Sequence, residues 1–109
     1  MKFLVLWELE LARLSTPMVA AVMRMPEYAR GLARQGKLER RYHVVGRHGG
    51  AWLYEVDSNE ELERLLAAAP VYNFARHEVL ALAEMEGPQE IVQPGEVEKP
   101  APRQQRARR

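Results

Sequence analysis

The chain has no cysteine. Disulfide staples, thiolate zinc sites, iron–sulfur ligation and thiol nucleophiles are therefore excluded. Long apolar runs are also missing. Phe3-Leu4-Val5-Leu6-Trp7 and Leu65-Leu66-Ala67-Ala68-Ala69 fall far short of the roughly 20 residues a membrane span needs. No small-residue cleavage pattern follows the first apolar segment, so no signal peptide is expected and the cytoplasm is the expected compartment. The glycine spacings of nucleotide loops and the GxSxG of serine hydrolases are absent. So are HxH and HExxH, so no metal site is expected.

What remains is one domain's worth of chain, 109 residues with 47% apolar content. The net charge of +1 hides an asymmetry. Residues 1–93 carry 11 Lys/Arg against 13 Asp/Glu, whereas residues 94–109 carry five against two. A mildly acidic body argues against nucleic acid as a partner. The basic end can give weak, salt-sensitive contact with polyanions.

Residues 2–11, KFLVLWELEL, alternate with period two and are rich in β-branched and aromatic side chains, so they predict a strand. Thr16 before Pro17 predicts a capped helix start. Met18, Ala21, Val22 and Met25 continue at helical spacing. Pro26 predicts either a kink or the start of the main helix, which Gly36 ends. Leu38–Arg47 and Ala51–Asp57 predict two strands joined by a turn at His48-Gly49-Gly50. Ser58 with Glu61 forms a capping box before the stripe Leu62, Leu65, Leu66 and Ala69, ended by Pro70. Alternation from Val71 to about Glu84 predicts the last strand.

The order β-α-β-β-α-β predicts an α+β, ferredoxin-like fold, a four-stranded antiparallel sheet with two helices on one face. The domain is expected over residues 1–86. Residues 87–109, rich in Pro and Arg, are expected to be a disordered tail or an arm on a partner. Val45, Trp52, Tyr54 and Val56 are expected to make the helix-free face apolar, which calls for a second copy against it.

The segment from Gly36 to Leu82 resembles the muconolactone isomerase family. The shared features are Gly36 before a strand, Val44-Val45-Gly46 before a short turn, and an aromatic strand ending in Val56. Ser58 opening an acidic helix, Pro70, the aromatics Tyr72 and Phe74, and Glu78-Val79 follow in order. The opening MKFLVLWEL fits the family's first strand. The resemblance implies a homodimer of the dimeric α/β-barrel type, with a decamer-type assembly beyond it. It also implies cofactor-independent proton transfer in a small unsaturated lactone or related carbonyl or polyketide compound. The chain departs from the family at Tyr42-His43, where an aromatic-Arg pair is usual. It departs again at Met23-Arg24-Met25-Pro26, where an acid-rich stretch is usual, and at Ala75-Arg76-His77 after Phe74.

Moving a proton along an enone needs a base near the acidic carbon, a donor for the enolate oxygen and a dry pocket. Glu27, at the expected start of the main helix, and His43, on the second strand, are the candidate catalytic pair. Tyr42, Arg47, Tyr54, Trp7, Trp52 and Met25 are the candidate pocket residues. Each also has a structural reading. Glu27 complements a helix dipole, His43 sits on a half-buried strand, and Arg40, Arg41 and Arg47 can pair with Glu39, Glu55 or Glu78. Two other readings use the same fold: a cofactor-free cyclase or monooxygenase, and a non-catalytic ligand-binding or assembly module.

Overall fold

The protein is described as a computed structural model over residues 1–85. Strand β1 (Lys2–Leu9) runs down the middle of a four-stranded sheet in the order β2-β3-β1-β4. Its neighbours are β3 (Gly49–Glu55) and β4 (Ala75–Leu82), and β2 (Leu38–His43) lies outside β3. All three pairings are antiparallel. Helices α1 (Thr16–Arg34) and α2 (Asn59–Ala68) supply the two crossovers. This is the ferredoxin-like arrangement that the element order predicts.

The two faces of the sheet are fixed by the registers Phe3↔Tyr54 and Val5↔Trp52. Those four side chains are buried with Ala21, Met25, Ala29 and Leu32 of α1 and Leu62 and Leu66 of α2. Trp52, Tyr54 and Val56 therefore lie under the helices, opposite to their expected place on the open face. Period-two alternation defines two faces but does not say which one the helices cover, and the wide aromatics fill that layer best. Val45 is 97% exposed in the hairpin turn, because β2 ends at His43. The open face carries Leu4, Leu6, Ala51, Leu53, Leu80 and Leu82 instead.

Other boundaries shift by similar physics. Ser15, one residue before Thr16, is the N-cap of α1, its hydroxyl accepting from the Met18 N–H at 3.2 Å. The helix then runs unbroken through Pro26. The capping box of α2 forms: Ser58 Oγ accepts from the Glu61 N–H at 3.0 Å, and Glu61 reaches back to the Asp57 N–H at 2.8 Å. The hairpin turn occupies Val44–His48 rather than His48–Gly50, and both glycines belong to β3. Single helical turns at Leu11–Arg13 and Tyr72–Phe74 shorten the first and last strands. The expected tail, residues 87–109, lies outside the described residues.

Candidate active site

Strand β2 begins with Leu38 facing the core opposite Tyr54, yet Arg40 pairs with Leu53 and Arg41 with Trp52. One extra residue has been inserted between Leu38 and Arg40. A β-bulge of this kind switches every later side chain to the other face. Arg41 and His43 therefore turn toward the helix layer, while Arg40 and Tyr42 turn to the open face. Without that insertion, His43 would point away from α1.

The consequence is a cavity of about 480 Å³ between β2, β3, the end of β1 and the middle of α1. Its apolar wall is made by Trp7, Trp52, Val22, Met25 and Pro26, and its polar wall by Arg41 and His43. The two indoles meet edge to face, with centroids 6.0 Å apart and planes at 85°. Pro26 has no N–H, so the Val22 carbonyl on the same wall loses its helical donor.

Five of the sequence-derived site residues meet here: Trp7, Met25, Tyr42, His43 and Trp52. Tyr42 brings its carbonyl oxygen to Gly50, while the residue itself is 54% exposed. Three do not join them. Glu27 is exposed on α1 and does not line the cavity, because Pro26 and Met25 hold the inward positions there. Arg47 sits in the hairpin turn, 3.8 Å from Glu8, on a smaller neighbouring cavity of about 180 Å³. Tyr54 is 2% exposed within the core, and burial pushes its hydroxyl titration well above the ordinary range.

Arg41 is the functional candidate that the sequence reading assigned to ion pairing. Among the described residues it forms no salt bridge, and its expected partners Glu39 and Glu55 are taken by Lys2 at 2.8 and 3.3 Å. Its two-residue spacing from His43 was the available signal for a shared wall. Val22, Pro26 and Gly50 were also missed as lining residues, since a glycine and a helix proline carry no chemistry of their own in sequence.

The smaller cavity gathers Glu8, Arg47, Arg76, His77 and Glu78 at the sheet end. Burial lowers the His77 titration, and its ring lies 5.6 Å from that of Tyr72. Among the described residues, no group of three or more His, Cys, Asp or Glu side chains is placed to hold a metal ion. No helix among them is long and apolar enough to cross a membrane.

The sequence profile of the muconolactone delta-isomerase family matches residues 1–86. The chain belongs to the muconolactone delta-isomerase family. It is 36% identical over 55 residues to a muconolactone delta-isomerase of Acinetobacter baylyi, a match covering 50% of this chain and 57% of that protein. To the muconolactone delta-isomerase of Cupriavidus pinatubonensis it is 33% identical over 61 residues, covering 56% of this chain and 66% of that protein. Less than two thirds of each relative is thus spanned. A solved muconolactone isomerase structure superposes with a TM-score of 0.69 at 22% identity, covering 78% of this chain and 91% of that one. A 5-chloro-2-hydroxyhydroquinone dehydrochlorinase from Burkholderia phenoliruptrix superposes with a TM-score of 0.58 at 14% identity, covering 78% and 96%. These two likenesses establish the shared fold.

Proposed function

We propose that the chain is a cofactor-independent isomerase that moves a proton, and with it a double bond, within a small unsaturated lactone or related carbonyl compound. Membership of the muconolactone delta-isomerase family supports this reading. The observation that carries it is one cavity in which an imidazole and a guanidinium share the walls with two indole rings, with no carboxylate among the described residues that line it.

In this reading His43 is the proton carrier. Its ring takes the proton from the carbon next to the carbonyl. The C–H electron pair enters the conjugated system, and charge collects on the carbonyl oxygen. The same imidazolium then returns the proton at the far end of the shifted double bond. The molecular formula is unchanged and nothing is oxidised or reduced. Arg41 offers N–H donors to the developing oxyanion, which is where electrostatic stabilisation acts most strongly. Trp7, Trp52, Met25 and Val22 form the apolar side of the cavity, while Arg41 and His43 stand exposed at its open side. Glu27, exposed outside the cavity, takes no part.

A β,γ-unsaturated butenolide is the direct substrate probe, because isomerisation to the conjugated form changes its ultraviolet absorbance. His43→Gln is expected to lower kcat/KM by about 10²–10⁴-fold, the usual worth of a general acid–base. Glu27→Gln is expected to stay within about twofold, since its carboxylate does not line the cavity. An unchanged rate in His43→Gln removes that residue from the chemistry. Binding of butenolides by the wild-type protein without turnover supports the ligand-binding module instead.

We also infer that the open sheet face packs against the same face of a second copy. Leu4, Leu53 and Leu80 form one row across it, and Leu80 and Leu82 remain 39% and 42% exposed in the single chain. A contiguous apolar face of this kind is characteristic of an interface. A two-fold pairing would cover both copies with one self-complementary patch. Solution mass decides between a dimer and a decamer-type assembly.

A further inference from the structure

Gly50 stands in the same row of the sheet as His43. It pairs with Trp7 of β1 on one side and with His43 of β2 on the other. All three positions face the helix layer, and Gly50 is the one without a side chain. Its φ is not positive, so its backbone would suit any residue. What bars a side chain there is space. A Cβ on Gly50 would lie 3.0 Å from Trp7 Nε1, 3.1 Å from Trp52 Nε1 and 3.0 Å from the Tyr42 carbonyl oxygen. The two indoles thus close over the bare glycine, as aromatic rings do where a strand glycine leaves a gap.

No hydrogen bond fixes the Trp7 ring. Its N–H is buried and has no partner among the described residues, although buried indole N–H groups usually find one. Its seat is therefore set by packing: Gly50 beside its Nε1, and Trp52 edge to face at 6.0 Å. Trp7, Trp52 and Gly50 all line the large cavity, so the seat of the rings is also the position of its apolar side.

We propose that Gly50 is a positioning residue of the cavity: by carrying no Cβ it seats both indoles against β3, and so sets how bulky a lactone substituent the cavity accepts. A Cβ at position 50 would point from the sheet toward α1 and press on the rings in that direction. The Tyr42 carbonyl is strand backbone and yields least. Ala21 and Met25 of α1 are buried in the core, where packing leaves little slack. The cavity is the open space beside the rings, so they advance into it. The inference rests on the isomerase reading for the ligand being a lactone, and on packing alone for the placement of the rings.

Two saturated lactones, which cannot isomerise, serve as probes: γ-valerolactone carries a methyl group and γ-phenyl-γ-butyrolactone a ring. The wild type is expected to bind the phenyl compound more tightly, because its ring covers apolar surface. Gly50→Ala is expected to weaken the phenyl compound roughly tenfold and the methyl compound by less than about threefold. In ¹⁵N-labelled protein the same substitution should move both indole N–H resonances, one from each of the two tryptophans. In a Trp7→Phe background the Nε1 atom 3.0 Å from the new Cβ is gone, and Gly50→Ala should change the ratio of the two affinities by no more than about threefold. A glycine needed for strand pairing alone would lower stability and leave that ratio unchanged. The proposal is overturned if neither lactone binds, if Gly50→Ala lowers both affinities by one factor, if the indole resonances stay in place, or if the loss is as large in the Trp7→Phe background. Should Gly50→Ala fail to fold, the Trp7→Phe/Gly50→Ala protein decides: the affinity ratio of Trp7→Phe upholds the proposal, and a lowered ratio or a second failure to fold overturns it. Failure of the isomerase reading is distinguishable. A protein that shows these affinities but leaves butenolides unaltered loses only the isomerase, and one that isomerises them while Gly50→Ala keeps the wild-type ratio loses only the role of Gly50.

Discussion

His77 is the half-buried imidazole whose titration the fold shifts. It faces the ring of Tyr72 and lines the smaller cavity with Glu8, Arg47, Arg76 and Glu78. Burial disfavours its cation and holds its pKa below the ordinary 6.5. The unfolded chain therefore binds the proton more readily than the native one. Stability from this residue is complete above pH 6.5 and is lost as pH falls through the depressed native value. Denaturant titrations should show that loss in the wild type and a flatter profile between about pH 7 and 5 in His77→Phe. An equal slope in both proteins would contradict the assignment. Glu55 and Glu61 act in the same sense at lower pH. The N-terminal amine and Lys2 hold the Glu55 carboxyl below its ordinary range; the Asp57 N–H and Lys37 do so for Glu61. At this scale the sequence made Trp7, Met25, Tyr42, His43 and Trp52 legible as a set. It did not show that Glu27 lies off this cavity, because Pro26 reads as a helix start in sequence, whereas α1 runs on through it and leaves Glu27 exposed in mid-helix.

Among the elements, α1 departs most from what local rules suggest. Pro26 sits ten residues into a 19-residue helix that does not break there. Burial of Met18, Ala21, Met25, Ala29 and Leu32 along one stripe outweighs the missing hydrogen bond. Pro26→Ala supplies the N–H that the Val22 carbonyl lacks and should stabilise the protein by about 1–3 kcal/mol in denaturant unfolding. A loss of stability would show that the ring's packing on the cavity wall outweighs the restored bond. Element order, the cap of α2 and the ends of both helices were readable because their causes are local: Ser58 with Glu61, Pro70, and Gly36 at φ 75°. The bulge after Leu38 was not. Nothing in Glu39-Arg40-Arg41 signals an extra residue, since the insertion is set by pairing with β3, some twelve residues downstream. That single slip decides which of Arg41 and Tyr42 faces the cavity.

For the whole molecule, the same ambiguity governs assembly. The sequence pattern gave a sheet with one face uncovered by helices, and the need for a partner followed from it. Which residues form that face did not follow, because both faces of β1 are apolar at its start: Phe3 and Val5 on one side, Leu4 and Leu6 on the other. Leu53→Glu places a charge in the middle of the open face without touching the core. Analytical ultracentrifugation should show an oligomer in the wild type and a folded monomer in Leu53→Glu. A monomeric wild type would contradict the packed-sheet assembly.

The central claim is that the cavity between β2 and α1 moves a proton between carbons, with His43 carrying it. Proton NMR of a β,γ-unsaturated butenolide in D₂O tests this most directly. The wild-type protein is predicted to yield the conjugated isomer with deuterium entering at the two exchanging carbons, and His43→Gln to slow both by about 10²-fold or more. Isomerisation and labelling at the wild-type rate in His43→Gln, or no isomer from the wild type, would contradict it.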